Sequence, residues 1–152
     1  MHMESDEHYM DLALGEARKA EAAGEVPVGA IIVSGGAVIG RGFNQPISTT
    51  DPTAHAEIIG LREAARYQRN YRLSNAVMYC TVEPCMMCAG AMMHARIVRL
   101  VFGTPDPKAG SAGSIYNVLT DPRLNHRVDV ISGIREDECA ALLRDFFAQR
   151  RG

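Results

Sequence analysis

Residues 76–102 leave few folds open to this chain. Ala76–Thr81 reads as a buried strand, and Glu83-Pro84 breaks it. A helix opens near Cys85 and runs to about Ala95, and Ile97–Phe102 is again a strand. Two strands joined by one helix over so short a connection pair in parallel, through a right-handed crossover. The flanking segments extend that unit on both sides. A helix runs from about Asp6 to Ala23, capped by Ser5 or Asp6 and ended by Gly24. Val28–Val33 and Ala37–Phe43 form an antiparallel hairpin about Ser34-Gly35-Gly36. Asn44–Thr53 is a loop with two prolines, and a helix follows from about Ala54 to Tyr67. Beyond residue 102 the long segment Gly103–Asn125 is rich in Gly, Pro and Asp, with a short helix expected near Ile115–Leu119. A loop of that length in a compact domain is usually functional or disordered. Val128–Ser132 is a fifth strand and Glu136–Gln149 a final helix. The pattern predicts one α/β domain over residues 1–152, a mixed five-stranded sheet with helices on both faces.

Composition narrows the setting. The chain has 152 residues, 47% hydrophobic and 22% charged, as expected of a globular protein. No apolar run reaches the roughly 18 residues of a membrane span, so no membrane association is expected. The acidic, polar start MHMESDEHYM is unlike a secretory signal, so a cytoplasmic setting is expected. In the cytosol disulfides are rare, and cysteines three residues apart suggest metal or redox chemistry instead. The net charge of −2 gives no sign of nucleic-acid binding. The distribution is less even. Residues 1–95 carry 7 Lys/Arg against 11 Asp/Glu, and residues 96–152 carry 9 against 7. A weakly basic second half is compatible with a phosphate-binding face and equally with a solvated surface.

Two short segments carry chemistry, His55-Ala56-Glu57 and Pro84-Cys85-Met86-Met87-Cys88. Cysteines at i and i+3 share one face in the first turn of a helix, where free N–H groups and the helix dipole favour thiolates. Taken alone this pair fits either zinc or thiol redox chemistry. Residues i and i+2 lie on opposite sides of a helix, so His55 and Glu57 reach one pocket only beyond its N-terminal end. Asp51-Pro52-Thr53 places that end close to His55. His55, Cys85 and Cys88 then make three metal ligands. Cys80 and His94 are the candidates for a fourth, and neither is well placed. Three protein ligands and an open position are the pattern of a catalytic zinc, with Glu57 left over as a proton carrier.

At these residues the sequence resembles the zinc-dependent nucleobase deaminases, whose signature is H-x-E…P-C-x-x-C. The resemblance extends to Glu25–Ala30, Asp51–Glu57, Asn70–Leu73, Thr81–Ala91, Val101-Phe102-Gly103, Asn125-His126-Arg127 and Asp137–Leu143, segments similar to the bacterial tRNA-specific adenosine deaminases. It covers residues 6 to 151. It implies the three-layer α/β/α cytidine deaminase-like fold and a homodimer with one Zn²⁺ per subunit. The implied reaction converts adenosine to inosine at the wobble position of a tRNA anticodon stem-loop, chiefly of arginine tRNA, by zinc-activated water attack at C6. His55, Cys85 and Cys88 hold the metal in that reading, and Glu57 shuttles protons. Two thiolates and a neutral imidazole leave a zinc site formally neutral, so RNA affinity comes from elsewhere. By resemblance Asn44 contacts the base and Val28 lines the pocket. Asp106 and Lys108 approach the anticodon backbone, and Phe147 and the Arg150-Arg151 end approach the RNA. Thr104-Pro105-Asp106-Pro107 departs from relatives that carry a basic residue before the aspartate, and its two prolines stiffen the loop. The Met86, Met87, Ala91, Met92 stripe reads as core, while the resemblance places that helix at the dimer contact. Two other readings stand beside this one: a deaminase of a free nucleobase or nucleoside, and a noncatalytic RNA-binding zinc module.

Overall fold

The computed structural model describes residues 4–151, the side chain of Arg151 excepted. Among these residues five strands, β1 (Gly29–Ser34), β2 (Ala37–Phe43), β3 (Val77–Val82), β4 (Arg99–Thr104) and β5 (Asp129–Ser132), form one sheet in the order β2-β1-β3-β4-β5. Strands β1 and β2 pair antiparallel. The turn between them is Gly35-Gly36, with φ of +59° and +79°, a two-residue connection that non-glycine residues resist. Strand β1 also pairs antiparallel with β3. Strands β3, β4 and β5 run parallel. The predicted crossover between β3 and β4 is helix α4 (Met86–Ala95).

Helices cover both faces. Helix α1 (Asp6–Ala22) and α5 (Glu136–Arg151) pack on one side, where Tyr9, Met10 and Cys139 meet Ile31, Tyr79 and Val101. Helices α3 (Ala56–Gln68) and α4 pack on the other, where Ala56, Leu61, Cys88 and Met92 meet Ile32, Met78 and Leu100. Alternate residues of β1 and β3 thus serve opposite cores, as a period of two requires. Met92 is fully buried, a burial worth about 1.5–3 kcal/mol.

Three details depart from the sequence reading. The loop 44–53 contains a one-turn helix, α2 (Pro46–Thr49), started by a proline at its first position. No helix forms near Ile115–Leu119. Ala112 and Asn117 form an isolated bridge there instead, and the amides of Ala112 and Ser114 turn inward to the Glu83 carboxylate. Strand β4 starts two residues late. Arg96 takes a left-handed turn at φ +61° to end α4, and the Ile97 amide still returns to Met92.

The contact that places the site is α3 on β2. A Cβ on Gly42 would press into the backbone carbonyl of Ala56, and one on Gly40 into that of Gly60. Backbone therefore meets backbone, and the N-terminal end of α3 is fixed against the end of β2. Gly42→Ala should cost about 1–3 kcal/mol, the usual penalty of overpacking a tight contact. A thermal unfolding midpoint equal to that of the unsubstituted chain would contradict this packing.

Candidate metal centre and active site

His55 is the N-cap residue of α3, in extended conformation, and its side chain makes no capping hydrogen bond. The Asn44 Oδ1 takes that role, accepting from the Ala56 N–H at 2.8 Å. The imidazole is thereby freed from the helix end. Asp51 shapes the approach by accepting from both the N–H and the hydroxyl of Thr53, at 2.8 and 2.7 Å. Cys85 stands likewise at the N-cap of α4, just beyond the carboxyl end of β3, and Cys88 follows in the first turn. Two helix N-termini thus face one point, as the spacing of both segments predicts.

His55, Cys85 and Cys88 form a three-residue cluster with ligand atoms within 4.8 Å of one another. The His55 Nδ1 lies 3.6 Å from the Cys85 Sγ and 3.5 Å from the Cys88 Sγ. Tetrahedral zinc with bonds of about 2.3 Å to sulfur and 2.0–2.1 Å to nitrogen would space S and N by roughly 3.6 Å. The donor set and its spacing fit zinc. Neither Cys80 nor His94 joins the cluster. The Cys85 thiol, hydrogen-bonded with Cys88 and with His55, is held down to about 4, so a thiolate forms readily there. The same pairing, with burial, pushes the Cys88 thiol up. Glu57 is in the first turn of α3 and only 4% exposed. Burial pushes its carboxyl up, and the charge of Cys85 adds to this.

These groups open on a cavity of about 900 Å³. His55, Glu57 and Cys85 lie on its wall with Val28 and Asn44. Asp106 and Lys108 of the loop after β4 line it as well, and so do Phe147 and Arg150 of α5. Cys88 is fully buried behind them. The residues singled out in the sequence for metal, catalysis or substrate are therefore in or beside one cavity, except the fourth-ligand candidates Cys80 and His94, which are not on its wall, and Arg151, whose side chain lies outside the described residues. Several are less free than the sequence suggested. The Asp106 Oδ1 accepts from the amides of Lys108 and Ala109 and fixes a turn. Arg150 donates to the Gly24 carbonyl at 2.8 Å and lies 4.5 Å over the Phe146 ring. Phe146 is buried, whereas Phe147 is 45% exposed and lines the cavity.

Sequence reasoning missed Pro46, Arg144 and the two buried glutamates 25 and 83. Arg144 was legible as the residue one turn before Phe147. The glutamates were not, because only the fold brings the loop amides to them. Glu25 is 1% exposed and accepts from the amides of Ile47 and Ser48 and from the Ser48 hydroxyl. Glu83 accepts from the amides of Asp106, Ala112 and Ser114 and from the Ser114 hydroxyl. Burial raises both carboxyls, but the bonds from Ser48, or from Ser114 and its neighbours, outweigh it and hold each below the ordinary glutamate value of 4.5.

The fold and the three-ligand centre define a zinc-dependent deaminase class, and the comparisons agree. The cytidine and deoxycytidylate deaminase zinc-binding region matches residues 3–104, so the chain belongs to that family. Its relatives include the tRNA-specific adenosine deaminase of Haemophilus influenzae, 51% identical over 97% of this chain and 86% of the relative. The enzyme of the same description from Bacillus subtilis is 44% identical over 98% and 92%. A solved structure from work on A-to-I editing by tRNA:A34 deaminases superposes with a TM-score of 0.86 at 46% identity, covering 90% of this chain and 99% of that one. A guanine deaminase from Nitrosomonas europaea shares the fold at a TM-score of 0.85 and 24% identity, over 97% of this chain and 87% of its own. Among the described residues, no helix is long and apolar enough to cross a membrane.

Glu25 gives a pH test of the loop carboxylates. A carboxyl depressed in the fold contributes stability that is present above its unfolded value and lost as pH falls through the folded one. Glu25→Gln should therefore lower the urea midpoint at pH 7, and the gap to the unsubstituted chain should close below pH 4.5. A gap that stays constant down to that range would remove the carboxylate's role.

Proposed function

We propose that the chain is a tRNA-specific adenosine deaminase, converting adenosine to inosine at the wobble position of a tRNA anticodon, chiefly of arginine tRNA. The observation that carries this is the buried Glu57 carboxyl beside the His55, Cys85 and Cys88 cluster, on a cavity rimmed by Lys108, Arg144, Phe147 and Arg150. The relatives named for this activity match nearly the whole chain. Adenosine and water give inosine and ammonia. His55, Cys85 and Cys88 hold one zinc per subunit, which when bound supplies the Lewis acidity that makes water a nucleophile near neutral pH.

Glu57 does the proton work. It takes one proton as the water oxygen attacks C6 and delivers it to N1, then takes the second from the new C6 hydroxyl and delivers it to the C6 amino group, which departs as ammonia as the C6–N bond breaks. Its burial raises its proton affinity, which suits a group that must accept and return protons within one turnover. Asn44 spends its oxygen on the Ala56 N–H, so its amide N–H₂ is the group left for an acceptor on the purine. Val28 closes the wall beside it. Phe147 offers a stacking face, and Lys108 and Arg150 offer charge to the anticodon phosphates. Asp106 keeps the loop turn that presents Lys108. The cytoplasm is where such a substrate is met.

A second copy of the chain completes this reading. On α4, Met92 is core, but Met86 is 53% and Met87 37% exposed, and Tyr71, Tyr116 and Leu124 are exposed too. A homodimer would cover them. Sedimentation at micromolar concentration should give twice the chain mass, and a monomer would count against it.

An arginine tRNA anticodon stem-loop with adenosine at the wobble position should acquire inosine there. Glu57→Ala should keep its zinc and lose roughly 10²–10⁴-fold in turnover, the usual contribution of a positioned proton carrier. Activity that survives in Glu57→Ala would deny it that role. A zinc-loaded chain that edits no stem-loop but deaminates a free base or nucleoside would move the substrate to the free nucleobase class.

A further inference from the structure

Glu83 stands between the end of β3 and Cys85, and it is 3% exposed. Its carboxylate is fully committed to the loop that follows β4. Oε1 accepts from the Asp106 amide at 3.0 Å and from the Ser114 hydroxyl. Oε2 accepts from the amides of Ala112 at 2.9 Å and Ser114 at 3.0 Å. Gly110 lies against the same carboxylate, and a Cβ there would press into it. The backbone repeats the connection, since the Glu83 N–H donates to the Thr104 carbonyl and the Ser111 N–H to the Pro84 carbonyl. Residues 105–118 have one isolated bridge and no helix or strand of their own. The loop is thus folded around a single buried side chain.

We propose that Glu83 is a positioning residue for the polynucleotide substrate. It locks residues 106–114 and so fixes Asp106 and Lys108 relative to the metal cradle. This rests on reading the cavity as the RNA site. Cys85 lies two residues beyond Glu83, so one short rigid segment carries both a metal ligand and the strut of the substrate loop. The strut needs a carboxylate. Each of its oxygens accepts two hydrogen bonds, and a glutamine would turn an N–H₂ group toward N–H donors at one of those positions. An aspartate would fall one methylene short. Pro105 and Pro107 limit the backbone on either side of Asp106, so the loop has few ways to adjust around a lost bond.

The test compares Glu83→Gln, Gly110→Ala and Lys108→Ala in the full chain loaded with zinc. The substrate is an anticodon stem-loop, read by separate kcat and KM, zinc content and amide hydrogen exchange. Glu83→Gln should keep its zinc and faster exchange should appear at Asp106, Ala112 and Ser114. Its KM should rise about tenfold with a much smaller change in kcat. Gly110→Ala should reproduce the same pattern from the other side of the contact. Lys108→Ala should raise KM and weaken its dependence on salt without altering exchange in the loop. A raised KM in Lys108→Ala with an unchanged KM in folded, zinc-loaded Glu83→Gln overturns the strut and leaves the RNA reading standing. Unchanged KM in both overturns the RNA reading of the loop and the strut with it. Loss of zinc together with kcat in Glu83→Gln and in Gly110→Ala would make Glu83 a support of the metal cradle instead.

Discussion

Helix α3 lies against strand β2 at backbone-to-backbone distance, and the geometry of the site follows from that contact. Gly40 and Gly42 remove the side chains that would hold the two apart. The N-terminal end of α3 is then carried to the point where β2 ends, so that Asn44 can reach the Ala56 N–H. With that N–H satisfied, His55 has no capping duty, and its imidazole faces the cysteines at the start of α4. The parallel pairing of β3 with β4 does the same for the second helix, because a crossover helix starts at the carboxyl end of its strand. Ligand sites in open α/β sheets gather at such strand ends. Here two helix ends arrive there from different connections.

Two of the buried carboxylates hold loops. Glu25 and Glu83 are buried carboxylates whose partners are chiefly backbone amides of segments lacking extended secondary structure. An isolated buried carboxylate would be costly, and a carboxylate that accepts several N–H bonds is not. The two hold different stretches of the cavity wall, Glu25 near Pro46 and Glu83 near Asp106 and Lys108. Glu57 is the contrasting case. Burial is the largest influence on all three, but only in Glu57 do the hydrogen bonds fail to outweigh it, so its carboxyl is raised, which suits the proton carrier proposed above.

The rim of the cavity is built on different terms from its floor. The floor is held by helix ends and by the core, whereas the rim comes from the loop after β4 and from α5. Arg150 is drawn in by the Gly24 carbonyl and the Phe146 ring, so its charge is placed and not free to roam. A placed cation contributes to where a phosphate sits as well as to how strongly it binds.

The sheet, the crossover and the candidate metal cluster were legible in the sequence, because each depends on local pattern. Alternation and turn chemistry mark the hairpin, and Pro84 with the i, i+3 cysteines marks a helix start bearing thiols. The separation of His55 from Glu57 by two residues already required that the pocket lie beyond the helix end. The signature also located the family. The sequence did not reveal α2, the absence of a helix near residue 115, or the purpose of Glu25 and Glu83. Those outcomes depend on which amides the folded chain brings to a carboxylate, and on whether Met86 and Met87 stay exposed while Met92 is buried. Such choices are made by contacts between residues far apart in the chain. Local propensity is worth only tenths of a kcal/mol per residue, so a charge-assisted hydrogen bond worth about 1.5–3 kcal/mol overrides it.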